Sequence, residues 1–277
     1  MDWWIIIEII MNTISFILNG LFLFVLARNK DLVKRKRITY HVANISVADT
    51  LYGLGSSCFY IVLLHRNEGT LKQFYVMSTV GYFASQTTVF LMTIERSIVI
   101  TKPLTWNDIL PRKRMLLIML CSWIAVVTLV VFYFYLIWKA YTWSEGLHLV
   151  VHILRFVFLI SSAAVNIYMF KYLRKKHGLA AAQQRSIHLK HKTSKLVLLL
   201  AVIMIVTCLP NSLLQIIWNI CREYQLHCNL HLNLRILNAI YILENLNFIV
   251  NPLVYIWKDR IYRNAFYRTF KIKTAQF

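Results

Sequence analysis

Apolar residues along the chain gather in long blocks separated by short polar connections, and seven blocks are long enough to cross a bilayer. They run at about 3–27, 38–63, 73–100, 114–138, 147–172, 194–220 and 232–257. Each exceeds the roughly 20 residues that a helix needs to span the hydrocarbon. Lipid offers backbone amides no water, so such segments fold as helices that satisfy their own hydrogen bonds. The pattern therefore predicts an all-α membrane protein, a seven-transmembrane helix bundle forming one domain over 1–277. A shorter pattern follows the last span. Ile261, Tyr262, Ala265, Phe266 and Phe270 recur at helical spacing among Arg260, Arg263, Arg268 and Lys271. This predicts a short amphipathic helix over 259–270 lying on the membrane surface. The first block starts almost at the first residue, without a basic leader or a small-residue cleavage site, and is expected to be a retained helix.

Composition strengthens this reading. Of 277 residues, 58% are hydrophobic and 15% charged, against about 25% charged in ordinary soluble domains. The formal net charge of +20 would suit nucleic acid, but its distribution points elsewhere. Basic residues cluster in alternate connections: Arg28 to Arg37, Lys102 to Arg114, Lys171 to Lys195, and the tail from Lys258 to Lys273. The positive-inside rule places those segments in the cytoplasm, with the N-terminus extracellular and the chain multi-pass in the plasma membrane. Anionic membrane lipids are the partner this charge predicts, and no nucleic acid is expected.

Polar residues within the spans carry the candidate chemistry, because hydrocarbon makes them costly. Asp49 lies midway along the second span. Asn19, Ser85, Asn247 and Asn251 fall at similar depth in other spans, and Asn247 and Asn251 share a helix face. Oxygens around one carboxylate suit a small hard cation; a hydrogen-bonded cluster without an ion is the alternative. Glu95-Arg96-Ser97 closes the third span. Pro210 and Pro252 each remove a helical hydrogen bond and permit a kink. Arg155 and Glu244 are charges inside the membrane that no motif explains; they are expected to pair with each other or to hold a ligand's opposite charge. No nucleophile stands beside a base outside the spans, and no Cys/His metal spacing occurs there, so the chain is not expected to be an enzyme.

In their order, these landmarks resemble the rhodopsin-like (class A) G-protein-coupled receptors. The resemblance rests on Asn19, on Asn44-Ile45-Ser46-Val47-Ala48-Asp49, and on Thr93-Ile94-Glu95-Arg96-Ser97 followed by Thr101-Lys102-Pro103-Leu104. It extends to Trp123, Cys208-Leu209-Pro210 and Asn251-Pro252-Leu253-Val254-Tyr255. It implies that an extracellular ligand drives the sixth helix outward about Pro210 and that a heterotrimeric G protein is activated inside. It further implies that Glu95 holds Arg96 at rest, that Arg96 is then released towards Tyr168, Tyr255 and the G protein, and that Leu104 belongs to the coupling loop. The cluster of Asn19, Asp49, Ser85, Asn247 and Asn251 is implied as a sodium site, with Asp49 and Ser85 as metal ligands. No other cofactor is expected.

Departures from the family pattern are informative. Lys190 stands where many members carry an acid that locks the sixth helix, which favours ligand-independent activity. Cys208 replaces the usual tryptophan and Met204 the usual phenylalanine. The usual bridge to the second outer loop has no cysteines here; Cys221 and Cys228 instead flank the third outer loop, and a disulfide between them is expected. Several of these departures resemble the melanocortin, cannabinoid and lysophospholipid branch. The acidic cluster of melanocortin receptors is missing, with Phe59, Leu71 and Tyr75 at the matching positions. An amine receptor would carry an aspartate near Ser78 and an opsin a lysine at Asn245, so neither ligand is expected. Phe59, Phe74, Tyr75, Tyr82, Trp218 and Tyr241, with Ser78, Asn211, Gln215, Arg155 and Glu244, are expected to line a pocket for a small lipid or short peptide. A non-signalling seven-helix scaffold and, further off, a transporter are the alternative readings.

Overall fold

The computed structural model describes residues 3–35, 37–65, 68–102, 105–139, 144–175, 181–223 and 234–271. Among them the chain runs through ten helices: α1 (Trp3–Arg28), α2 (Lys30–Arg35), α3 (Ile38–Leu64), α4 (Glu68–Thr101), α5 (Trp106–Ile109), α6 (Arg112–Lys139), α7 (Ser144–Lys175), α8 (Ala181–Glu223), α9 (Leu234–Lys258) and α10 (Arg260–Thr269). The seven long ones form the bundle, and no strand occurs among the described residues. Hydropathy located these helices but not all their ends. At 43 residues, α8 is longer than a bilayer crossing requires. Its first turns are polar, with Gln183, Gln184 and Lys190, so the apolar block marks only the part suited to lipid. The short α2 and α5 lie within basic connections and leave no apolar block.

Among the described residues, length and composition qualify six helices to cross a membrane, and α4 is not one of them. The sequence pattern counted seven. The difference lies in the polar side chains of α4, among them Ser78, Ser85, Gln86, Thr88, Thr93 and Glu95, all buried. Packed against α3, α6, α7 and α8, α4 is the central helix, and its polar groups meet protein instead of lipid. By contrast, α1 and α6 expose Ile10, Ile14, Ile17, Leu117, Leu120 and Leu129. That is the apolar outer surface of a multi-pass membrane protein.

Close approach of α3 and α4 depends on missing side chains. A Cβ on Gly81 would lie 2.5 Å from the Tyr52 backbone nitrogen and 2.7 Å from the Ala48 carbonyl oxygen. These are backbone atoms that cannot swing aside, so only glycine allows this spacing, as small residues do between membrane helices. At one end of the bundle Phe22, Ile45, Met92, Leu200, Met204 and Tyr255 pack into a continuous apolar core. There α10 docks through Tyr262 and Ala265, both buried. Asp259 caps α10 by accepting the Ile261 amide at 3.0 Å, and the Tyr262 hydroxyl hydrogen-bonds Thr39 at 3.0 Å. Burial pushes the pKa of that hydroxyl up, so it serves as a neutral hydrogen-bonding group.

Candidate functional site

At the end of the bundle away from α10, the helices enclose a cavity of about 400 Å³. It is lined by Phe59, Tyr75, Ser78, Tyr82, Arg155, Asn211, Gln215, Trp218, Tyr241 and Glu244, all residues expected there. Phe74 is not part of the wall. Tyr52, Tyr60 and His152 are, and no motif had marked them. Their signal was composition alone: aromatic and polar residues in the same stretches of their helices.

The two unexplained charges meet in this cavity. A terminal nitrogen of Arg155 pairs with the Glu244 carboxylate, and both residues are buried. The Tyr82 hydroxyl donates to the same carboxylate at 2.6 Å. Asn211 donates to its other oxygen. Gln86 donates to the Tyr82 oxygen, and the Arg155 guanidinium lies 4.4 Å from the centre of the Tyr82 ring. One network therefore joins α4, α7, α8 and α9. A buried carboxylate tolerates lipid surroundings only with such company. Among the described residues, Arg155 Nε and Asn211 Oδ1 keep unused hydrogen-bonding capacity. Nearby, Cys208 is fully buried with a free thiol and lies beside Tyr82 and Gln86.

A second buried carboxylate had gone unmarked. Glu8 of α1 accepts from Asn12 at 3.3 Å and also from Asn245, whose carbonyl oxygen accepts from the Tyr52 hydroxyl. Its signal was an acid inside the first span, one helical turn before an asparagine.

Midway along the bundle, Asp49 is completely buried and accepts from the Asn251 side chain at 2.8 Å. Pro252 leaves the Phe248 carbonyl without its helical partner. The Asn19 amide donates to that oxygen at 2.9 Å. A side chain of α1 thus satisfies the carbonyl that Pro252 frees. Asp49 Oδ1, Ser85 Oγ, Asn19 Oδ1 and Asn247 Oδ1 remain buried without a hydrogen bond. One carboxylate with unused oxygens in this layer fits a small hard cation. Beside it, Trp123 donates to Asn44 at 2.7 Å and Asn44 to Thr88 at 2.7 Å, fastening α6 to α3 and α4.

At the α10 end, Glu95 is shared among three cationic or ionisable neighbours. Arg96 approaches it only to 4.0 Å. Arg37 Nε lies at 3.1 Å, and His41 hydrogen-bonds its other oxygen. Arg37 also donates to the Leu110 carbonyl and lies over the Trp106 ring at 4.8 Å. Burial lowers the Arg37 pKa from its ordinary value, and the Glu95 charge works against that shift. Arg37 and His41, one turn apart at the start of α3, were missed because the first looked like one more charge in a basic connection. Tyr255 is fully buried, with its ring 5.3 Å from that of Phe22. Tyr168 is 55% exposed, with its ring tilted against that of Tyr172 at 6.3 Å, so this conformation does not bring it to Arg96. Pro210 lies inside α8, which continues through it. Leu104 and Cys228 lie outside the described residues; Cys221 is disulfide-bonded. The side chain of Lys190 is likewise outside the description.

The family model described as 7 transmembrane receptor (rhodopsin family) matches residues 18–255 of the chain. No curated protein matches it.

Proposed function

Because the chain belongs to the rhodopsin family of seven-transmembrane receptors, we propose that it converts binding of an extracellular ligand into activation of a heterotrimeric G protein. Members of that family bind extracellular ligands and couple to G proteins. The observation that carries the reading is a shared set of helices. α4 and α9 hold Tyr82 and Glu244 at the cavity, and the same two helices hold Arg96 and Tyr255 at the α10 end. Asn251 and Asp49 lie between. A ligand that rearranges the Glu244 network therefore acts on elements that reach the G-protein side. In this reading the α10 end faces the cytoplasm, the N-terminus is extracellular and the membrane is the plasma membrane. The inner part of α8 swings outward about Pro210, and Arg96 turns towards Tyr255 and Tyr168. The ligand is a small lipid or a short peptide.

This movement is open to direct measurement. Spin labels on the inner ends of α3 and α8 should separate by several ångströms when nucleotide-free G protein binds. An unchanged distance would argue for a non-signalling scaffold instead.

Asp49 and Ser85, with Asn19, Asn247 and Asn251 around them, would hold a sodium ion. Bound there, the ion supplies the positive charge that Asp49 lacks. An ion that prefers the resting packing stabilises it by mass action. Sodium chloride should therefore raise the melting temperature of the purified protein relative to choline chloride at equal ionic strength. Asp49→Asn should abolish that difference. An equal melting temperature in the two salts would remove the ion from the proposal.

A further inference from the structure

Arg37 reaches well beyond Glu95. A terminal nitrogen donates to the Leu110 carbonyl, the guanidinium lies 4.8 Å from the centre of the Trp106 ring, and Nε donates to Met115 Sδ at 3.3 Å. These partners lie in α5, just after it and in the first turn of α6. Backbone hydrogen bonds close that segment on itself: the Leu110 amide donates to the Trp106 carbonyl at 2.9 Å and the Met115 amide to the Pro111 carbonyl at 3.0 Å. Arg37 therefore stands at the start of α3 with its charged end held by the connection between α4 and α6.

Glu95 is contested at one oxygen. His41 hydrogen-bonds Oε2. Among the described residues Oε1 accepts no hydrogen bond, yet two guanidinium groups face it, with Arg37 Nε at 3.1 Å and Arg96 Nη2 at 4.0 Å. A buried carboxylate oxygen without a donor gains from whichever cation comes closer. Arg37 and Arg96 share that one charge, so a gain for either is a loss for the other. We propose that Arg37 is a positioning residue through which the connection between α4 and α6 chooses the partner of Glu95. With α5 in place, Arg37 draws the carboxylate away from Arg96 and favours coupling. With α5 displaced, Glu95 turns to Arg96 and coupling falls. The inference deepens the receptor reading, naming a regulator of its switch, and rests on it for the signalling consequence.

The test is whether the effects of these residues depend on one another, measured as ligand-independent nucleotide exchange with the full chain in lipid nanodiscs. Trp106→Ala should lower exchange about threefold to tenfold, the size of a cation–π contact at a partly exposed ring. In a Glu95→Gln background the same substitution should change exchange less than about twofold, because no carboxylate charge is left to share. Arg37→Lys keeps a cation beside Glu95 but loses the planar fork that also reaches Leu110 and Trp106. Its exchange should stay above that of Arg37→Gln and no longer respond to Trp106→Ala. An equal loss from Trp106→Ala with Glu95 and with Gln at that position would mean that Trp106 serves the G protein directly, and would overturn the proposal. Thermal unfolding of the purified chain gives a readout that needs no G protein. The losses from Trp106→Ala and Glu95→Gln should be non-additive, and should become additive in an Arg37→Gln background. Additive losses with Arg37 intact would also overturn the proposal. Arg37-dependent coupling in unfolding, with no exchange on any G protein, would keep the link and remove the receptor reading.

Discussion

Glu244→Ala is expected to destabilise the protein by about 3–5 kcal/mol, the usual cost of leaving one partner of a buried ion pair unmatched. The carboxylate accepts from Arg155, Tyr82 and Asn211, so its removal strands a guanidinium and two neutral donors in a place water reaches poorly. Arg155→Ala should cost a comparable amount, since Glu244 would keep its charge without the cation. The double variant Arg155→Met with Glu244→Leu should recover most of the loss, because an apolar pair of similar bulk avoids both desolvation penalties. Unfolding of the purified protein measures all three. The coupling energy should be several kcal/mol and strongly non-additive. Additive single effects of about 0.5 kcal/mol or less, the size expected of an ordinary surface site, would show that the pair does not form.

Glu95→Gln should raise ligand-independent nucleotide exchange by roughly tenfold to a hundredfold. The carboxylate is buried among Arg37, His41 and Arg96. Hydrogen bonds to a charged group contribute about 1.5–3 kcal/mol, and each 1.4 kcal/mol moves a two-state equilibrium about tenfold. Arg37→Gln should act in the opposite direction. Arg37 holds Glu95 at 3.1 Å while Arg96 lies at 4.0 Å, so removing Arg37 leaves the carboxylate to Arg96 and should lower basal exchange. A rise with Arg37→Gln would mean that Arg37 itself restrains the switch.

The helices were legible because lipid demands long apolar blocks, and lipid-facing helices such as α1 and α6 carry no other message. α4 was the partial exception, since a helix surrounded by protein is free to be polar. The cavity was legible for the converse reason. Arg155, Glu244 and the aromatic residues in the spans had no membrane rationale, and such residues collect where a membrane protein makes a site. Pairings across helices were not legible. Nothing in the basic stretch before α3 distinguishes Arg37 from its neighbours until α3 and α4 are packed side by side. Asn19 could be placed at the depth of Asp49. Its bond to the carbonyl freed by Pro252 depends on how α1 meets α9, and periodicity does not encode that. Glu8 hid among apolar residues for the same reason, its partner Asn245 lying on α9.

The central claim is that the polar groups of α4 and α9 form a switch acting on a G protein. Nucleotide exchange on purified G proteins, measured with the chain reconstituted in nanodiscs, tests it most directly. Exchange above that of empty nanodiscs should appear without added ligand, should increase with Glu95→Gln, and should vanish with Arg96→Ala while the protein stays folded. Exchange no faster than with empty nanodiscs for every G-protein class, or exchange unchanged by Arg96→Ala, would contradict the account.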